Sequence, residues 1–127
     1  MRIVRIYADV HGESHFADVE VPTQTVPMFA QMPPFRLNRF GTPRGVKFFA
    51  VPAELQVADW HTAPERQLAI ALDGAVEYET SDGEIRHFPP GAVVLVEDVT
   101  GRGHITRFDP GEQCFLHIPV PDDWPAA

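Results

Sequence analysis

Six histidines, at positions 11, 15, 61, 87, 104 and 117, are the residues of this chain best suited to chemistry. An imidazole titrates near neutral pH and binds metals through an unprotonated nitrogen, so it can act as general base, proton shuttle or ligand. Other chemistries fall away quickly. The two serines, Ser14 and Ser81, stand in no nucleophile-elbow pattern. The run Thr100-Gly101-Arg102-Gly103 leads into a strand pattern rather than a helix N-terminus, so it is no phosphate loop, and no dinucleotide fingerprint is present. Cys114 is the only cysteine, which rules out an intrachain disulfide and any paired-thiolate metal site. Its neighbours Gln113, Phe115 and Leu116 suit a small buried apolar residue better than an activated thiolate.

The elements that must position the histidines have an apolar period of two. Val76 and Tyr78 alternate with Glu77 and Glu79, which is a half-buried strand. Ser81-Asp82-Gly83-Glu84 follows, where Asp-Gly supplies the positive φ of a tight hairpin turn, and 85–88 returns before Pro89-Pro90-Gly91. The run 92–96 is apolar on both faces and β-branched, as a strand covered on both sides would be. Further strands are expected over 2–8, 15–21, 46–51, 67–72, 104–108 and 115–118. Many short strands with tight turns and no helical window indicate an all-β sandwich or barrel. Thirteen prolines also disfavour long helices. Residues 22–43 carry five of them and no regular period. Val26, Met28, Phe29, Met32, Phe35, Leu37 and Phe40 make that stretch too apolar for free solvent, so it is expected to wrap the barrel as an extended arm.

The spacing of the chemical residues resembles the cupin family. Trp60-His61-Thr62-Ala63-Pro64-Glu65-Arg66-Gln67, followed by Gly74, is similar to the first cupin motif, which reads His-x-His, three or four residues, Glu, six residues, Gly. His61 falls on the first His, Ala63 on the second and Gln67 on the Glu. Pro90-Gly91, an apolar strand and a loop ending in His104 resemble the second motif, with a loop two residues longer and Phe108 in place of the family's Asn. The resemblance covers about 48–119 and implies a single-domain cupin jelly-roll β-barrel. On that reading the chain is one domain: N-terminal strands and extended arm over 1–45, barrel over 46–119 and an irregular tail over 120–127.

The resemblance also implies site residues. His61 and His104 are the candidate catalytic residues, and His61, Gln67 and His104 the candidate ligands of a divalent metal. Strand parity agrees with convergence, since 61, 63 and 67 share one face of an extended segment and 104, 106 and 108 one face of another. Gln67, Ala69 and Ala71 would then form an inward lining of small residues that leaves room. The metal is expected to be weakly held or absent, because an imidazole is replaced at Ala63 and the carboxylate by the amide of Gln67. Glu65 is a candidate displaced carboxylate. His117 is expected to pack in the core or an interface, His11 and His15 to be solvated, His87 to point outward and Trp60 to pack.

At 127 residues the chain can bury a core without disulfides. Its net charge of −8 disfavours phosphate backbones and anionic membrane surfaces as partners. The N-terminus has no signal-peptide pattern and no apolar run approaches a membrane span, so a cytoplasmic protein is expected. An arm outside the barrel points to a homodimer. Three functions follow: a small-molecule enzyme of cupin type (isomerase, lyase or oxygenase-like), a non-catalytic small-molecule sensor using the same pocket, and a structural barrel with a filled interior.

Overall fold

Alternating hydrophobicity becomes strand after strand. A computed structural model describes residues 1–39 and 44–125, and among these there are twelve strands and no helix. In chain order they are β1 (Arg2–Ala8), β2 (Ser14–Glu20), β3 (Gln24–Val26), β4 (Phe35–Leu37), β5 (Lys47–Val51), β6 (Val57–His61), β7 (Gln67–Ala71), β8 (Val76–Thr80), β9 (Ile85–Phe88), β10 (Val93–Val96), β11 (His104–Phe108) and β12 (Gln113–Pro119). The strands group as a six-stranded sheet in the order β2-β1-β10-β7-β12-β5, a four-stranded sheet β6-β11-β8-β9, and the pair β3-β4. No closed barrel forms among the described residues; backbone pairing ends at β2 and β5 in one sheet and at β6 and β9 in the other.

The main core lies between the two larger sheets. Ile6, Phe16, Ala69, Val94 and Phe115 from the first meet Val76, Tyr78 and Phe88 from the second. β10 is covered on both faces, as its unbroken apolar run requires. Val94 and Val96 enter this core, while Leu95 points into a second cluster with Val21, Leu68, Val120 and Trp124. β1 runs parallel to β10, pairing Val4 with Val94 and Ile6 with Val96. On β8 the alternation holds: Val76 and Tyr78 are buried, and Glu77 and Glu79 grip Arg107 of the neighbouring β11 at 2.7 Å each.

Two local expectations are corrected. In the β8–β9 hairpin only Gly83 has positive φ, at 94°. Asp82 instead accepts hydrogen bonds from the Thr80 hydroxyl at 2.6 Å and the Glu84 amide at 3.0 Å, closing a longer loop. Residues 22–39 do not wrap the body; they form the separate β3–β4 hairpin and leave Met28, Phe29, Met32 and Phe35 exposed. Phe40 lies outside the described residues. The tail carries no strand after β12 but is firmly held. The Arg66 guanidinium donates to the carbonyls of Pro121, Asp122 and Trp124 and pairs with Glu97, and the Trp124 indole donates to Asn38. A tail buried against Leu68 and Leu95 stabilises by about 1.5–3 kcal/mol per large side chain. No helix among the described residues is long and apolar enough to cross a membrane.

Candidate functional site

One end of the space between the sheets is not filled. A cavity of about 130 Å³ opens there, lined by residues of β5, β6, β7, β8, β11 and β12. His104, Thr106 and Phe108 of β11 border it together, as their shared face predicts. His61, Ala63 and Gln67 border it too, but not as one face of an extended segment, because β6 ends at His61 and β7 begins at Gln67 in the other sheet. Ala69 and Ala71 do not. They are buried in the main core, where Phe115 stands opposite Ala71 and His117 opposite Ala69 in the β12–β7 register. His61 and Pro64 are exposed at the mouth, whereas Gln67, Tyr78, His104 and Thr106 are buried in the walls.

The two histidines are brought together by pairing between strands distant in sequence. His104 stands opposite His61 in the β11–β6 register, with ring centroids 4.5 Å apart. The register then shifts, setting Thr106 opposite Ala58, which is the irregularity of a β-bulge beside the site. The loop before β11 is pinned from the other side, where the Ser14 hydroxyl donates to the Gly103 carbonyl at 2.7 Å and the Arg102 amide to the Gly12 carbonyl at 2.9 Å.

Each imidazole has a partner that sets its orientation. His104 Nδ1 lies 2.6 Å from Asp98 Oδ2, and both side chains are buried, Asp98 completely. With Nδ1–H donated to that carboxylate, Nε2 is left as the acceptor. His61 Nδ1 likewise lies 2.6 Å from the Asp59 carbonyl, again leaving Nε2 free to accept. The Asp98 backbone also accepts from the Ala63 amide at 3.1 Å, so one residue ties the β6–β7 connection to the ring of His104. The ring of Tyr78 meets His104 edge-on at 5.7 Å. Burial, reinforced by the charge of Asp98, holds the Tyr78 phenol well above its ordinary pKa, so it stays a proton donor.

Two participants are absent from the candidate set drawn from the motifs. Asp98 follows the apolar run of β10, and its signal was an acidic residue at the end of a strand six residues before His104. His117, expected to pack, borders the cavity and accepts at Nδ1 from the Gln67 amide at 3.0 Å. Burial first, and the charge of Lys47 second, push its pKa down to about 4, so it is neutral at physiological pH.

The remaining candidates lie elsewhere. Glu65 faces Lys47 at 3.6 Å and Arg44 at 3.9 Å and does not border the cavity. His87 points outward to Glu77 at 3.0 Å, and His11 is exposed. His15 is not simply solvated; it sits between Asp9 at 2.7 Å and Asp82 at 3.0 Å. Trp60, expected to pack, is 46% exposed. Cys114 is half-buried rather than buried, and desolvation with the nearby Asp73 carboxylate raises its thiol pKa, the opposite of activation.

A divalent metal of the kind the cupin motifs imply would find few donors here. His61 and His104 offer imidazole nitrogen and Gln67 an amide oxygen. The third imidazole, His117, is engaged by that amide through Nδ1, and Asp98 stands behind His104. Among the described residues no three His, Cys, Asp or Glu side chains converge in a metal-holding group. Two imidazoles and a neutral amide bring no anionic charge to offset a dication, so the donor set does not fit the group.

No protein-family model matches the chain, and no curated protein matches it. Among solved structures it is similar to the crystal structure of protein NMB1881 from Neisseria meningitidis. The identity is 19%, covering 67% of this chain and 88% of that one, with a TM-score of 0.45, a likeness too distant to bear on fold family or activity.

Proposed function

We propose that the chain is a small cupin-type jelly roll whose cavity is the active site of a small-molecule enzyme, with His104 as general base oriented by Asp98. The family reading is supported by the meeting of the two motif segments: His61 and Gln67 from one and His104 from the other border one cavity. A two-sheet all-β body is the architecture a jelly roll takes. The observation that carries the function is the buried Asp98–His104 pair at 2.6 Å, whose imidazole lines the cavity wall. A carboxylate on Nδ1 fixes the tautomer and stabilises the imidazolium formed when Nε2 takes a proton.

The chemistry this serves best is proton transfer at carbon. His104 Nε2 takes a proton from a carbon next to a carbonyl, and the electron pair moves onto the carbonyl oxygen. The Tyr78 phenol stabilises the resulting dienolate oxygen by hydrogen bonding, and His104 returns the proton to the γ-carbon of a β,γ-unsaturated ketone, whose double bond moves into conjugation with the carbonyl, giving an isomerisation. The test is a proton-NMR screen of small cyclic ketones and enols in D2O, reading exchange of α-hydrogens. Exchange should fall about a hundredfold or more in Asp98→Asn and vanish in His104→Ala. No exchange above that of His104→Ala with any ketone would remove the enzyme reading.

The second reading, a non-catalytic small-molecule sensor, draws support from size. A cavity of about 130 Å³ is below the roughly 300–1,000 Å³ of ordinary ligand sites. Ligand binding without α-hydrogen exchange would favour it.

A further inference from the structure

One buried polar atom at the cavity has no partner. Gln67 is 2% exposed; its Nε2 donates to His117 Nδ1, and its Oε1 is sealed from solvent without a hydrogen bond. An acceptor left unsatisfied in a low-dielectric interior is costly, so such groups find a partner in protein, water or ligand. Turning the amide would bring Oε1 onto His117 only with that ring protonated at Nδ1, and would leave the amide nitrogen as the atom without a partner instead.

The rest of the lining says what kind of molecule brings the missing donor. Phe49, Phe108 and Phe115 line the cavity with apolar aromatic surface, and no lysine or arginine is among its lining residues. Lys47, whose charge reaches His117, pairs with Glu65 3.6 Å away and does not border the cavity. Behind His104 lies a carboxylate, Asp98, whose Oδ1 is also buried without a partner. That environment repels an anionic ligand, since neither a cation nor a guanidinium fork is present to receive it. The volume also limits size, because an apolar cavity of about 150 Å³ accepts benzene.

We infer that the site takes a neutral, single-ring molecule bearing a hydroxyl or N–H group, which donates to Gln67 Oε1 while its ring lies among Phe49, Phe108 and Phe115. This rests on the proposed function only in taking the cavity for the ligand site, and it makes Gln67 the specificity-determining residue. A carboxylate there would add charge, whereas an amide reads a neutral donor.

The experiment uses the full chain and four single-ring probes, phenol, its size match toluene, and the larger anisole and benzoate. Affinities are read by chemical-shift titration, with the His104 and Tyr78 ring resonances locating the binding. Phenol should bind at least about tenfold more tightly than anisole, toluene or benzoate. In Gln67→Leu the preference for phenol over toluene should collapse to within about twofold. Anisole equal to phenol in the wild type would overturn the inference, as would benzoate bound best. The first would mean that the amide is reversed or that a bound water satisfies Oε1; the second would mean that an unrecognised cation governs the site. Either result leaves the cavity as a ligand site. If no probe moves the His104 and Tyr78 resonances at millimolar concentration, the ligand-site reading fails with it. Should Gln67→Leu fold poorly, Gln67→Met serves as the second variant with the same expected loss.

Discussion

Gly103 lies against the backbone of His61 so closely that a Cβ at position 103 would overlap the His61 carbonyl. Its φ is +75°, a conformation that L side chains rarely adopt. The glycine before one site histidine is thus what allows the other to come within 4.5 Å of it. The motif-like loop is a spacer whose glycines carry geometry rather than phosphate.

Gly103→Ala should therefore cost more than strain alone. Gly83 also has positive φ, +94°, but nothing lies within 4 Å of its missing Cβ, which makes it the control. Urea denaturation should show Gly83→Ala destabilised by about 1 kcal/mol and Gly103→Ala by about 1–3 kcal/mol more. Equal losses would show that the approach of the two strands is not needed.

Two histidines should give stability opposite dependences on pH. The hydrogen bond to Asp9, with lesser help from Asp82, raises the pKa of His15 above 6.5. Its contribution is complete below 6.5 and is lost as pH rises through the folded value. The loss should be no more than about 1 kcal/mol, the scale of a partly exposed ion pair, and absent from His15→Gln. His117 is buried neutral with a folded pKa of about 4 against 6.5 unfolded, so stability falls as pH drops from 6.5 towards 4. The slope there is at most about 1.4 kcal/mol per pH unit, and His117→Phe should flatten it. Denaturation midpoints from pH 4 to 9 check both.

Metal binding should respond to charge at position 67. Protein prepared without an affinity tag is expected to hold substoichiometric divalent metal, and Gln67→Glu to raise affinity by restoring an anionic ligand beside two imidazoles. Elemental analysis after dialysis against chelator reads this. Full occupancy of the wild type would mean that the ligands have been miscounted.

The β3–β4 hairpin calls for a partner. It pairs with no other strand and exposes Met28, Phe29, Met32 and Phe35, and the free edge strand β5 exposes Phe48. A homodimer covering these is expected, with a sedimentation mass twice 14.2 kDa. Phe29→Ser with Met32→Ser should give a folded monomer. A soluble, compact wild-type monomer at micromolar concentration contradicts the expectation.

Local features follow from the order of residues along each strand. Side-chain period is a property of each strand alone, so the alternation around Tyr78, the covered run of β10 and the shared face of 104, 106 and 108 were readable without knowing any neighbour, whereas 61, 63 and 67 meet only because the chain turns from one sheet into the other between β6 and β7. Turn chemistry was readable only in part, because Asp82 finds its partners through a loop whose length depends on strand pairing. Tertiary structure decided the rest. Asp98 and His117 join the site because β10 and β12 both pair with β7, a relationship between segments far apart in the chain. Ala69 and Ala71 lie in the core rather than on the cavity, beside Phe115 and His117 of β12, neighbours that composition does not name. Among the described residues the β3–β4 hairpin pairs with no other strand and leaves Met28, Phe29, Met32 and Phe35 exposed, an outcome that its apolar composition alone does not foretell. Periodicity says which way a side chain points; only the packing of distant strands says what it meets there.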